Sequence, residues 1–198
     1  MNTSELETKR ISLRPIEETD YPVLFKWRNE FRFLSLFSAK REVISFESFI
    51  KEIKREFERN RHLQFIVSRK DTNKPIGTIF SFNFNPVDGY VFVNIYIDSE
   101  EENKGYGVEG IVLFVYYLFM FFPVRKICFE IFSYNNLSLS TMQNGSRYGF
   151  CEEGRFKEHR FFNGKHYDVF RFAIFRNSTD KISKLLERFK RNYSGWQD

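Results

Sequence analysis

The residues of this 198-residue chain best suited to chemistry are Lys104-Gly105-Tyr106-Gly107, two glycines one position apart behind three glutamates, Glu100, Glu101 and Glu102. Glycine accepts positive φ and has no Cβ to hold a ligand away, so successive backbone N–H groups in such a turn can face one concavity. Where a helix follows, its unpaired first N–H groups and its positive end add to the attraction, and the combination suits a diphosphate. On the two glycines alone, a plain strand-to-helix turn is the competing reading. Acidic side chains beside a diphosphate are unfavourable unless they point outward or pair with Lys104, which leaves most of the binding to the backbone. Elsewhere reactive groups are sparse. Cys128 and Cys151 sit inside apparent strands, and neither they nor His159 and His166 have metal-ligand spacing, so no metal is expected and the histidines read as structural or solvent-facing. There is no Ser-His-Asp or Cys-His constellation.

These residues need a scaffold, and the pattern around them supplies one. Ahead of the glycines, Val91, Val93, Ile95 and Ile97 alternate with Phe92, Asn94, Tyr96 and Asp98, a strand with two different faces. Behind them an apolar helix runs to Phe122 and stops at Pro123, and Lys126 to Phe132 forms the next strand, with Ile127, Phe129 and Ile131 on one face. A helix of this length permits a parallel crossover. Upstream, Lys9 to Ile16 alternates as a first strand ending at Pro15, and Asp20 caps a helix carrying Val23, Leu24 and Trp27. A second amphipathic helix follows Ser45 with Phe46, Phe49, Ile50, Ile53 and Phe57 on one face. His62 to Arg69 and Ile76 to Phe84 are strands joined by Asp71-Thr72-Asn73-Lys74-Pro75, and Asn85 to Gly89 turns into the central strand. Phe150 to Phe162 and Lys165 to Phe175 make a closing hairpin about Asn163-Gly164. A last helix, about 179–194, is capped by Ser178 and carries Ile182, Leu185, Leu186, Phe189 and Tyr193; it either packs on the sheet or joins a second subunit as a homodimer.

Composition narrows the function. One domain spanning 1–198 is the expectation at this length, and 26 phenylalanines imply a core and a cleft lined with rings. A net charge of +5 with interspersed signs is too mild for a nucleic-acid binder; the basic cluster Lys181, Lys184, Arg188, Lys190 and Arg191 is confined to the end. Ile111 to Phe122 is too short for the roughly twenty residues of a membrane span. The start, MNTSELETKR, lacks an apolar signal core, so a cytoplasmic location is expected.

The run IYIDSEEENKGYGVEG resembles the acetyl-coenzyme A loop of the GCN5-related N-acetyltransferases (GNAT), whose pattern of Gln or Arg, two residues, Gly, any residue, then Gly or Ala falls on Glu102 to Gly107, with Glu102 departing at the first position. LRPIEETDYPVLFKWRNE resembles the N-terminus of the branch that includes ribosomal-protein alanine acetyltransferases, where a similar segment reaches over the acceptor, so Trp27 is either core or part of that site. The resemblance covers roughly Glu7 to Arg176. It implies an α+β, three-layer fold: a mixed, mostly antiparallel sheet of about seven strands with a splayed parallel pair, flanked by helices. It implies that acetyl-coenzyme A is held by Glu102, Asn103, Lys104, Gly105, Tyr106, Gly107 and Val108 and by the backbone of Ile95 and Ile97. The second half, from SYNNLSLSTMQNG, is similar to the family's with Asn135 and Ser138 as its Asn/Ser pair; counting back from Gly149-Phe150 puts Ser138 and Thr141 there instead. By that count Gly145 stands where many relatives carry a tyrosine, so the acid that protonates the thiolate is Ser138, a water, Tyr134 or Tyr148. Position in the family fold makes His159 with Glu158 the side-chain base. The implied reaction is acetyl transfer from acetyl-coenzyme A to a primary amine of a small molecule, such as an amino sugar or an aminated natural product, without metal, nucleic acid or membrane. The alternatives are a protein N-terminal or lysine acetyltransferase, which needs an open groove, and a non-catalytic acyl-coenzyme A or partner-binding module.

Overall fold

The computed structural model describes residues 6–37, 41–58 and 63–191. Its seven strands are β1 (Ile11–Pro15), β2 (Gln64–Arg69), β3 (Pro75–Asn85), β4 (Tyr90–Ile97), β5 (Lys126–Phe132), β6 (Phe150–Phe162) and β7 (Lys165–Phe175). They form one sheet in the order β1-β2-β3-β4-β5-β7-β6. Every neighbouring pair is antiparallel except β4 and β5, which the helical crossover makes parallel, as the expected α+β fold requires. The helices are α1 (Tyr21–Asn29), α2 (Phe31–Leu36), α3 (Phe46–Glu58), α4 (Tyr106–Phe121), α5 (Asn136–Asn144) and α6 (Thr179–Arg191).

Period-two alternation gives each central strand two buried faces, so the sheet lies between two helical layers. On one face Val91, Val93 and Ile97 of β4 join Val112, Leu113, Phe114, Val115, Leu118 and Phe119 of α4. The stripe Ile182, Leu185, Leu186 and Phe189 seats α6 in the same cluster, against α4. Of the two placements open for the last helix, its described part packs within this chain; Tyr193 lies outside the described residues. On the other face α1 and α3 bury Leu24, Trp27, Phe49 and Ile53 over Ile66 and Tyr96. The expected α3 stripe holds at these positions, whereas the side chain of Phe57 and the whole of His62 lie outside the described residues.

Two local readings change. Asp20 precedes α1, but its side chain does not cap that helix. Its oxygens accept from both terminal nitrogens of Arg14, each at 2.7 Å, and from Glu17 N–H at 2.9 Å, so the carboxylate closes a tight turn upstream and fixes the end of β1. The short helix α2 has no periodic signature in FRFLSL and is absent from the sequence reading. At the far end the hairpin turns where expected, with φ of 47° at Asn163 and 76° at Gly164, the paired positive values that a two-residue turn demands.

Trp27 is core: it is 1% exposed and its Nε1–H donates to Asp98 Oδ2 at 2.8 Å, joining α1 to the end of β4. Burial works to raise the Asp98 carboxyl, but the Trp27 donor, the Glu100 N–H and Lys26 together leave it below its usual range. A depressed carboxyl stabilises the fold above the ordinary value of about 4 and loses that contribution as pH falls. Trp27→Phe should therefore cost about 1–3 kcal/mol near neutrality, since it strands a buried acceptor. In denaturant titrations the gap between variant and parent should narrow from pH 6 to pH 3; a pH-independent gap would mean that lost ring packing, and not the hydrogen bond, sets the cost.

Candidate active site

Strand β4 creates the site by leaving its neighbour. Its parallel pairing with β5 covers only Tyr90, Val91 and Phe92, opposite Lys126, Ile127 and Cys128, and from there the two strands diverge. On its other side β4 stays paired with β3 to the end, and Asp98 N–H donates to Ile76 O at 2.8 Å. Backbone polarity alternates along a strand, so the N–H and C=O groups of Ile95 and Ile97 face the gap. Two side chains occupy part of this free edge: Asn94 Oδ1 accepts from Ile95 N–H at 3.0 Å, and Arg32 Nη1 donates to Ile97 O at 2.5 Å.

The gap opens into a cleft of about 780 Å³ whose walls are Ile95 and Ile97, the loop Glu101 to Val108, Arg10 and Arg32, and Asn135, Ser138, Thr141 and Met142 of the α5 segment. At its floor, Gly105 has φ of 80° and stands as the N-cap of α4, a left-handed conformation for which a side chain is strained. A Cβ on Gly105 would also meet Arg10 Nη2 at 3.3 Å. Gly107, expected to help bend the turn, is instead a residue of the first helical turn, and the second positive φ belongs to Asn103 at 59°. The first backbone bond of α4 runs from Glu109 N–H to Gly105 O at 3.2 Å, and no side chain caps the helix. The N–H groups of Tyr106, Gly107 and Val108 thus remain available at the positive end of a sixteen-residue helix.

The three glutamates are each neutralised. Glu101 is 4% exposed and accepts from Lys104 Nζ at 2.9 Å, with Arg69 and Lys74 at 3.6 and 3.7 Å. Lys104 holds its carboxyl below the usual range against the effect of burial. Glu100 pairs with Lys74 at 3.3 Å, and Glu102 pairs with Arg32. A fourth carboxylate, Glu109, is fully buried under the loop, where Thr8 donates to it and Arg10 binds it through Nε at 2.8 Å and Nη2 at 2.5 Å. Arg10 also donates from Nη1 to Lys104 O at 3.0 Å, so one buried ion pair fixes the loop from below.

Across the cleft, Asn135 is the N-cap of α5 and its Oδ1 accepts from Ser138 N–H at 3.3 Å. Thr141 Oγ1 donates back to Leu137 O at 2.7 Å, whereas the Ser138 hydroxyl makes no hydrogen bond among the described residues. Tyr134 O–H donates to Ser35 O at 2.7 Å, and burial pushes the phenol up. Of the residues anticipated from sequence, the structure brings Ile95, Ile97, Glu102, Asn103, Lys104, Gly105, Tyr106, Gly107, Val108, Asn135 and Ser138 to one cleft. It does not bring Glu158 and His159 there. They sit on an exposed irregularity of β6, between Phe156 and Arg160, with Glu158 at φ of 49° and the His159 ring against Phe156. Arg10 and Arg32 were missed, because pairing with glutamates far along the chain leaves no spacing signal. Among the described residues no cluster of His, Cys, Asp and Glu could hold a metal, and no helix is long and apolar enough to cross a membrane.

No curated protein sequence matches the chain. Solved structures do match in fold. Spermidine N-acetyltransferase from Vibrio cholerae, in complex with CoA and spermine, superposes with a TM-score of 0.78 at 22% identity, over 85% of this chain and 97% of that one. Another structure of that Vibrio cholerae enzyme, with manganese ions, gives 0.71 at 23% identity over 90% and 96%. RimL, a ribosomal L7/L12 alpha-N-protein acetyltransferase in complex with coenzyme A, gives 0.74 at 16% identity over 85% and 95%. The family described as the acetyltransferase (GNAT) domain matches residues 10–145, more than half of the sequence and every element from β1 to α5. The chain belongs to the GNAT acetyltransferase family.

Proposed function

We propose that the protein transfers the acetyl group of acetyl-coenzyme A to the primary amine of a small molecule. The observation that carries this reading is the continuity of one cleft: the uncapped N-terminus of α4 opens into the same space as the unpaired edge of β4. The coenzyme supplies an activated thioester, so orientation and a donor for the developing oxyanion are the main demands on the protein. Gly105 to Val108 hold the diphosphate through backbone N–H groups, and the edge groups of Ile95 with the N–H of Ile97 hold the arm as an added strand would be held, Ile97 O staying with Arg32. Ile95 N–H, now on its neighbour Asn94, is placed to serve a ligand oxygen instead. Ser138 offers a hydroxyl in the cleft without a hydrogen bond among the described residues, which we assign to protonate the thiolate, and Asn135 fixes the turn that presents it. Because Glu158 and His159 lie off the cleft, a water relay takes the place of a side-chain base.

A small acceptor is favoured by how the far side of the cleft is closed. Helix α2 is tied to the β6–β7 hairpin by Arg160 Nη2, which donates to Ser35 O at 3.1 Å, and to the segment after β5 by Tyr134 O–H, which donates to the same oxygen; beyond α2, Arg41 donates to Phe161 O. The Phe31 and Phe162 rings meet at 5.9 Å, and Tyr134 stacks on Phe162 at 4.6 Å. We read this bridge as narrowing the acceptor side, against the open groove that an extended peptide needs. The RimL likeness keeps a protein N-terminus as the second reading.

Three outcomes are expected. Gly105→Val should abolish micromolar binding of acetyl-coenzyme A in calorimetry while the circular dichroism spectrum is kept; retained affinity would remove the loop from the site. Ser138→Ala should lower kcat about a hundredfold with little change in coenzyme affinity, and an unchanged rate would pass the acid role to water. In a thiol-release screen, small amines should outrun peptides with free N-termini; the reverse order would establish the protein-acceptor reading.

A further inference from the structure

The two arginines of the cleft spend their donors differently. Arg10 donates from Nε to Glu109 and from Nη1 to Lys104 O, its Nη2 is buried against Glu109 as an ion pair without hydrogen-bond geometry, and its guanidinium lies over the Tyr106 ring at 4.9 Å. It is a clamp. Arg32 uses Nη1 on Ile97 O and Nη2 on Glu102, and rests over the Tyr96 ring at 5.4 Å. Its Nε makes no hydrogen bond among the described residues. Each terminal nitrogen of a guanidinium carries two hydrogens, so Arg32 keeps Nε–H and one hydrogen on each terminal nitrogen for a ligand.

Charge gives the same answer. Glu101 has three cations around it and Glu100 has Lys74, while Arg32 is the one cation paired with Glu102 among the described residues. Glu102 directly precedes the turn whose N–H groups await an anion. An anion seated there meets a carboxylate unless the guanidinium stays between them. Its fork can bind a carboxylate on one side and phosphate oxygens on another, which an ammonium group on a flexible stem does poorly. Two anchors, Ile97 O and Glu102, hold the fork, and it is 31% exposed on the cleft wall, neither buried nor free to wander.

We propose that Arg32 is a direct ligand of the coenzyme diphosphate, with Glu102 acting as the positioning residue that aims its guanidinium across the mouth of the glycine loop. The proposal rests on the reading of the cleft as a coenzyme site. It assigns α2 two duties, tying down the segment after β5 through Ser35 and supplying the diphosphate cation through Arg32.

The test is calorimetric titration of the wild type, Arg32→Met, Arg32→Lys and Glu102→Gln with coenzyme A and with 3′-dephospho-coenzyme A, which keeps the diphosphate. Arg32→Met should weaken both ligands roughly ten- to hundredfold, the worth of a charge-assisted pair of hydrogen bonds. Arg32→Lys should recover only a minor part of that loss. Glu102→Gln should weaken binding less than Arg32→Met, because the cation remains. Binding of S-acetylpantetheine, which lacks the diphosphate, followed by NMR, should be the same in wild type and Arg32→Met; an equal loss there would make Arg32 a support of α2 and overturn the proposal. Undiminished coenzyme affinity in Arg32→Met overturns the proposal alone. A wild type that binds neither coenzyme overturns the reading of the cleft, and the proposal with it.

Discussion

The divergence of β4 from β5 is the constraint on which the rest of the molecule depends. Pairing stops after Phe92 and Cys128, yet both strands continue in the interior of a two-faced sheet. Buried backbone groups without partners are costly, so a sheet cannot open at its centre without something to satisfy the exposed edge. Here Asn94 takes one group and Arg32 another, and what is left faces a cleft. The edge that destabilises the isolated fold is the edge an extended ligand can pair with. The single parallel connection in the sheet, carried by α4, is what brings the start of a long helix to that opening.

Electrostatics adapts this backbone site to an acidic loop. Three consecutive glutamates before a turn with free N–H groups would repel an anionic ligand if left bare. Each instead meets a cation: Arg69 and Lys74 come from the β2–β3 hairpin and Arg32 from α2, while Lys104 belongs to the loop itself. Glu109 beneath them is buried with Arg10 and Thr8, and breaking such a pair would leave an uncompensated charge inside the protein. The loop is thus held by ion pairs on both sides while its N–H groups stay free.

The aromatic content has a matching division of labour. Phe65, Phe114 and Tyr117 pack within the core, while Phe132, Tyr134, Phe162 and Tyr167 form a separate cluster that joins the hairpin to α2. That second cluster meets α2 through Tyr134, which donates to Ser35 O, and through Phe162, whose ring meets Phe31. Helix α2 connects the cleft to the hairpin: Arg32 touches Ile97 and Glu102, while Phe31 meets Phe162 and Ser35 accepts from Arg160.

Much of this was legible in the sequence, because the signals are local. Alternation set the β4 faces, Pro123 ended α4, Asn163-Gly164 turned the hairpin, and the glycine pattern with its flanking strand and helix located the loop and the family. Asn135 and Ser138 reach the cleft because one caps, and the other lies in the first turn of, a helix that closely follows β5. Only the tertiary structure decided the rest. Asp20 has the sequence context of a helix cap, but Arg14 across the turn takes its oxygens. Glu158 and His159 stand at the expected place along β6, but its register shift between Phe156 and Arg160 leaves them on the exposed surface. Lys104 is a local partner of Glu101, but the other cations that make Glu100, Glu101 and Glu102 tolerable, Arg32 above all, come from elements remote in the chain. A single sequence records spacing along the backbone, whereas an ion pair between distant elements depends on how the sheet assembles them and leaves no periodic trace.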